Sequence, residues 1–214
     1  MTRPPALLRP AVPADLDSLV ELHTRARTAY YRAGGLPAAE IDTPDGPARR
    51  REGWARSIRS PSRTVRCALR NDTVVGVVAM GPPLVPGNEP VTVGELYQIH
   101  VLPGQWGQGI GGQLHAAFLR FLREAALPTG RVEAWERNHR AQAFYARHGW
   151  RPDGHGARGR PVRATSGCAW TRMPPESHRP WYGGRSALLD DREDGTLAVG
   201  DGRQPAVRGI PGGV

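Results

Sequence analysis

Between residues 101 and 112 the chain reads Val101-Leu102-Pro103-Gly104-Gln105-Trp106-Gly107-Gln108-Gly109-Ile110-Gly111-Gly112, a glycine-rich connection between a β-rich run and an amphipathic helix. Residues without a Cβ let backbone N–H groups approach an anion, and the positive end of the following helix adds to the attraction, so the segment can cradle a phosphate. No Gly-Lys-Ser/Thr follows, which excludes a Walker loop. Glu133 and Glu136 lie near the distance a dinucleotide fingerprint requires, but no βαβ repeat opens the chain to support one. A tight strand-to-helix turn that binds nothing is the competing reading. A second segment, Asn138-His139-Arg140-Ala141-Gln142-Ala143-Phe144-Tyr145-Ala146-Arg147-His148-Gly149-Trp150, begins with a helix-capping residue and ends with a helix-terminating one.

Taken in order, Val-x-Pro, Gly-x-Gly-Ile-Gly and Asn-x-x-Ala-x-x-Phe-Tyr-x-x-x-Gly-aromatic resemble the acetyl-CoA-binding core of the GNAT superfamily of N-acetyltransferases. The matching segments cover residues 91–153, and the order of strands and helices extends the likeness from Leu7 to Met173. The resemblance implies an α/β fold of the α+β type, with a mixed, mostly antiparallel central sheet flanked by helices and acetyl-CoA bound at a splayed strand pair. By the same resemblance, backbone groups of Ile99 and Val101 hold the pantetheine arm. The turn formed by Trp106, Gly107, Gln108, Gly109, Gly111 and Gly112 wraps the pyrophosphate, and Asn138 contacts the cofactor while also capping its helix. Trp106 stands where the family usually carries Arg or Gln, with Gln105 one place early, which removes one side-chain donor.

The resemblance gives Tyr145 the role of proton donor to the departing CoA thiolate, against a competing role in core packing. The acceptor amine needs a base, since an alkylammonium with a pKa near ~10 is mostly protonated at neutral pH. Glu95 is the candidate, by its resemblance to the position of the general-base glutamate in histone-acetylating members; a water chain is the alternative. Regular alternation would put Glu95 on one strand face with Tyr97, Ile99 and Val101, and would turn His100 away. The implied activity is direct transfer from acetyl-CoA to a primary amine of a small molecule or a peptide or protein. The alternative is an inactive protein that senses CoA or acetyl-CoA. Tyr30, Tyr31, Arg32, Trp54 and residues 155–163 fall where the resemblance places the acceptor pocket; no metal is implied, and a homodimer is left open.

The elements that must position these residues follow from periodicity. A strand over 7–12 leads into a helix that starts near Pro13 and carries Leu16, Leu19, Val20, His23 and Ala26 on one face. Glycine- and proline-rich breaks at 34–37 and 43–47 precede a helix over 48–58. Runs 64–70 and 73–80 read as antiparallel strands joined at Asn71-Asp72, and 91–102 as a third. Leu114, Ala117, Phe118, Phe121, Leu122 and Ala125 mark one helix face, 131–135 a strand, and Ala141, Phe144, Tyr145 and His148 a second face. A loop over 153–160 and one or two strands within 162–173 complete the expected domain, residues 1–173. Residues 174–214, rich in Gly and Pro without apolar periodicity, read as a disordered tail.

With 214 residues, 39% apolar, the chain can bury one sizeable core. It has no apolar run of membrane-spanning length and no signal-peptide pattern, so the expectation is cytoplasmic. Two cysteines without close histidine partners make neither a zinc site nor a disulfide framework. The net charge of +9 is carried wholly by Arg, with no Lys, a bias that codon usage explains. The excess lies in residues 1–173 and suits a polyphosphate ligand; the aromatic-plus-basic motifs of RNA-binding folds are absent, so nucleic acid is not the expected partner.

Overall fold

A computed structural model describes residues 4–84, 92–156 and 167–172. The chain runs through β1 (Leu7–Pro10), α1 (Leu16–Ala33), α2 (Ala38–Ile41), α3 (Gly46–Arg59), β2 (Thr64–Arg70), β3 (Thr73–Gly81), β4 (Val93–Val101), α4 (Ile110–Glu124), β5 (Thr129–Trp135), α5 (His139–Arg147), β6 (Arg151–Gly156) and β7 (Gly167–Arg172). The seven strands form one sheet in the order β1-β2-β3-β4-β5-β7-β6. Every neighbouring pair is antiparallel except β4 and β5. Among the described residues no helix is long and apolar enough to cross a membrane.

Helices cover both faces, which is why β3 is buried along nearly its whole length. On one face Leu19 and Leu22 of α1 and Trp54 of α3 pack on Val65, Cys67, Val77 and Ala79. On the other, Ile110, Leu114, Phe118 and Leu122 of α4 meet Val78, Met80, Leu96 and Val132, with Tyr145 and Trp150 closing the cluster. Burying each large aliphatic or aromatic side chain contributes roughly 1.5–3 kcal/mol. Gly94 and Gly130 are register partners in the parallel pair. A Cβ on Gly94 would lie 2.2 Å from Leu122 Cδ2, and one on Gly130 2.9 Å from Leu122 Cδ1, so these glycines let α4 sit close over the join of β4 and β5.

The Asn71-Asp72 turn takes positive φ at both residues (46° and 59°), the conformation that joins two right-twisted strands tightly. Two expectations are corrected: the opening strand stops at Pro10, because Val12 caps the 3-10 turn Pro13–Asp15, and residues 153–156, expected in a loop, continue β6, which pairs with β7. The short helix α2 lies between the two expected breaks. The tail over 174–214 lies outside the described residues.

Candidate active site

The site is built where the sheet divides. β4 and β5 are paired only from Val93↔Thr129 to Leu96↔Val132, although both strands continue. Below the fork the strands are clasped by an ion pair between register partners: Arg131 Nη2 donates to Glu95 Oε2 at 2.9 Å. Beyond it, β4 keeps β3 on its other side. Leu102 N donates to Val75 O (3.0 Å), closing a hydrogen-bonded pair. The alternation of antiparallel ladders then makes Val101 opposite Gly76, and Ile99 opposite Val78, non-hydrogen-bonded pairs. The N–H and C=O of Ile99 and Val101 therefore point away from β3, into the fork. A cavity of about 880 Å³ fills the opening, lined by β4, β5, α1, α5 and the glycine turn.

At the mouth, Gly107 (φ 75°) and Gly109 (φ 82°) take the left-handed conformation, and Gly109 is the N-cap of α4 without any side-chain capping bond. The first N–H groups of a helix have no intrahelical acceptor, and none is supplied here by a cap. A Cβ at Gly104, Gly107, Gly109 or Gly112 would meet no heavy atom within 4 Å, so the space above the turn is open. The turn is held from two sides. Arg70 Nη1 donates to Gln105 Oε1 (2.9 Å) and to Gln108 Oε1, and Arg70 Nη2 to Gln108 O (3.3 Å). Trp106 Nε1 donates to Val101 O (2.8 Å). An open amide cradle leading into a strand fork fits an elongated ligand that carries phosphates at one end and a reactive acyl group at the other, as acetyl-CoA does.

The helix on the far side carries Asn138 and Tyr145. Asn138 caps α5, its Oδ1 accepting from Ala141 N at 3.1 Å, and it lines the cavity. Tyr145 is buried yet also lines the cavity, and burial raises its pKa, so its hydroxyl stays protonated. Tyr145 thus belongs to the α4-side core and to the cavity wall at once.

The expected face of β4 is corrected by a bulge. Register slips between Ala79 and Met80, so that Gln98 faces Ala79 but Leu96 faces Met80, and Tyr97 is the extra residue. Leu96, Ile99 and Val101 consequently pack toward α4, while Glu95, Tyr97 and His100 fall on the α1 side. Glu95 is almost fully buried, accepts from Leu84 N (3.0 Å) as well as from Arg131, and is not among the cavity-lining residues. Its carboxylate is occupied as a structural clasp.

His100 instead lines the cavity, stacked on His23 of α1 at 4.3 Å. His100 Nε2 lies 2.6 Å from Gln98 Oε1, and His23 Nδ1 accepts from Trp54 Nε1 at 3.2 Å. Burial, then the charge of Arg27, depresses His100 to about 4; burial, then His100, Arg50 and Arg27, holds His23 well below its ordinary 6.5. Both imidazoles are neutral at pH 7. Of the residues named for the acceptor pocket, Tyr30 and Tyr31 line the cavity, Arg32 and Trp54 do not, Trp54 standing behind His23, and residues 157–163 lie outside the described residues.

Glu133 was not foreseen in this role. Val132 and Ala134 pack into the α4-side core while Trp135 packs on Tyr31, so alternation sends Glu133 to the α1 side of β5. It is the one carboxylate among the described residues that line the cavity. The signal was its place on a strand flanked by apolar residues of the opposite face, but its exposure depends on the fork.

A family model described as the acetyltransferase (GNAT) family matches residues 18–150. The aminoalkylphosphonate N-acetyltransferase of Salmonella typhimurium is 32% identical over 103 residues, 47% of this chain and 65% of that protein, so the match spans less than two thirds of the relative's length. Among solved structures, the PaiA N-acetyltransferase from Thermoplasma acidophilum in complex with coenzyme A superposes with a TM-score of 0.63 at 15% identity, covering 78% of this chain and 98% of that one. A ribosomal-protein-alanine N-acetyltransferase from Brucella melitensis gives 0.61 at 22% identity, covering 78% and 99%. At these identities the structural matches speak for the fold.

Proposed function

The chain belongs to the acetyltransferase (GNAT) family, and on that premise we propose that it transfers the acetyl group of acetyl-CoA directly to a primary amine of a small molecule or of a peptide or protein. The observation that carries the reading is the fork: β4 and β5 part after Leu96 and Val132, with an uncapped helix N-terminus at the mouth. In this reading the turn from Trp106 to Gly112 and Asn138 hold the nucleotide end, and the backbone of Ile99 and Val101 holds the pantetheine arm. Bound acetyl-CoA supplies an acetyl group activated as a thioester. N–H groups fixed in the strand before reaction stabilise charge growing on the acetyl oxygen at no reorganisation cost.

The amine nitrogen attacks the thioester carbonyl and forms the C–N bond; as the tetrahedral intermediate collapses and the C–S bond breaks, Tyr145 gives its hydroxyl proton to the leaving thiolate, the second proton of the nitrogen passes to solvent, and solvent reprotonates Tyr145. Its place on the cavity wall supports this role. Glu133 takes the proton of the incoming ammonium: it is the one carboxylate among the described residues that line the cavity, and it stands on β5 at the fork, whereas the His148 imidazole, which also lines the cavity, lies past the end of α5 with Nδ1 2.8 Å from Phe144 O. Guanidinium groups cannot accept a proton, Tyr97 and Tyr145 are held protonated, and the His23 and His100 imidazoles resist one. Glu95, held by Arg131, braces the fork instead.

The test is free-thiol release from acetyl-CoA by purified protein against a panel of amines, amino acids, peptides and aminoglycosides, with Tyr145→Phe and Glu133→Gln alongside. Amine-dependent release is expected, falling roughly 100-fold in each variant, the ordinary contribution of a general acid or base, while acetyl-CoA affinity is retained. Binding without amine-dependent release across the panel would leave a CoA-sensing protein.

A further inference from the structure

Arg140, the second residue of α5, holds its guanidinium carbon 4.3 Å above the Trp106 ring, and both residues line the cavity beside the glycine turn. The indole is itself pinned, since its Nε1 donates to Val101 O. Trp106 therefore works as a bracket: one edge is tied to the end of β4, and one face carries a cation contributed by α5. The location of that cation is electrostatically odd. Arg140 lies in the first turn of α5 and next to the turn that opens α4, so two positive helix ends converge on it. Neither helix has an acidic residue in its first turn. Among the described residues no carboxylate pairs with Arg140 in an ion pair. Three sources of positive potential around an open space are mutually unfavourable until a multiply charged anion enters.

We infer that Arg140 is a phosphate-binding side chain for the nucleotide end of acetyl-CoA, and that Trp106 is the residue that positions it. The inference rests on the acetyl-CoA reading above. It assigns Trp106, the residue that departs from the family's usual Arg or Gln, an indirect means of supplying the missing donor: the charge comes from α5 and the aromatic face sets where it stands. Arg suits this better than Lys, because a planar guanidinium can stack on the ring and still direct two N–H groups toward phosphate oxygens.

The test is calorimetric titration of the full chain with CoA, 3′-dephospho-CoA and pantetheine, for wild type, Arg140→Ala, Arg140→Lys, Trp106→Phe, Trp106→Leu and the Trp106→Leu/Arg140→Ala double variant. Arg140 is exposed, so its substitution leaves the fold intact, and circular dichroism checks the Trp106 variants. Arg140→Ala is expected to weaken CoA about 10- to 30-fold, the loss of a charge-assisted hydrogen bond, with pantetheine affinity unchanged. Trp106→Leu should reproduce most of that loss, Trp106→Phe little of it, and the double variant should bind no more weakly than Arg140→Ala alone. Loss with CoA but not with dephospho-CoA assigns Arg140 to the 3′-phosphate; loss with both assigns it to the pyrophosphate. Unchanged CoA affinity in Arg140→Ala, or an equal loss with pantetheine, overturns the inference. A wild-type chain that binds none of the three overturns the acetyl-CoA reading instead.

Discussion

Replacing Glu95 with Gln separates a carboxylate that braces the fork from one that takes a proton. In the folded chain Glu95 Oε2 receives Arg131 Nη2 at 2.9 Å and Leu84 N at 3.0 Å, and both side chains are buried. Gln keeps an acceptor for these donors but removes the charge facing Arg131. Removing one member of a buried ion pair costs about 3–5 kcal/mol, because it leaves the other charge uncompensated; the isosteric amide puts this change at the lower end. At ~2–4 °C per kcal/mol for a domain of this size, the midpoint of thermal unfolding should fall by about 6–12 °C. Replacing both Glu95 and Arg131 with Leu should recover much of the loss, since the buried charge is then gone. Turnover is measured on the same preparations by thiol release well below the unfolding transition. The expected result is a KM for acetyl-CoA that rises as the fork loosens, a kcat within a few-fold of wild type, and an unshifted pH profile. A kcat reduced 100-fold at unchanged thermal stability would refute this reasoning and return the base role to Glu95.

The buried histidines predict a pH effect. His100 is held near 4 when folded against about 6.5 when unfolded, so between these values the unfolded chain binds the extra proton and stability falls as pH drops, levelling off below about 4. The groups that face His100 are His23 and Arg27 of α1 and Gln98 of its own strand. Urea midpoints measured from pH 7.5 to 4 should therefore decline less steeply in His100→Gln than in wild type; parallel curves would rule the effect out. Gly109→Ala forces an alanine to φ near 82° in a place where its methyl meets nothing, so the cost is that of the left-handed backbone, roughly 1–2 kcal/mol. A lowered unfolding midpoint with a raised KM for acetyl-CoA is expected, and a variant unchanged in both would show that the turn does not need this conformation.

What could be read from the residues was what local backbone chemistry dictates. Gly107, Gly109 and Gly149 adopt positive φ, Asn138 caps its helix, and Leu114, Phe118 and Leu122 share a buried face, each a matter of a few consecutive residues. The face of Glu95 was not legible, because it depends on one extra residue at Tyr97, and that slip is set by pairing with β3 rather than by the composition of β4. The position of Glu133 and the partnership of Arg140 with Trp106 were hidden for a similar reason. One depends on where two strands part and the other on a helix that returns from more than thirty residues downstream. Trp106 was visible as an anomaly in its motif, but a single sequence could not say what the anomaly was for.

The short pairing of β4 with β5 bears on how the protein holds together as well as on what it binds. A sheet interior normally matches every amide, yet here β4 turns the N–H and C=O of Ile99 and the N–H of Val101 toward a gap, the Val101 carbonyl being taken by the Trp106 indole. A ligand that enters the fork can complete this part of the hydrogen-bond ladder. Amide hydrogens at these two positions should exchange freely with solvent until that happens, and occupancy would then add to the stability of the whole domain, by about 2.7 kcal/mol at a ligand concentration of 100 times Kd. The abundance of folded protein in a cell would in that way follow the supply of whatever molecule enters the fork.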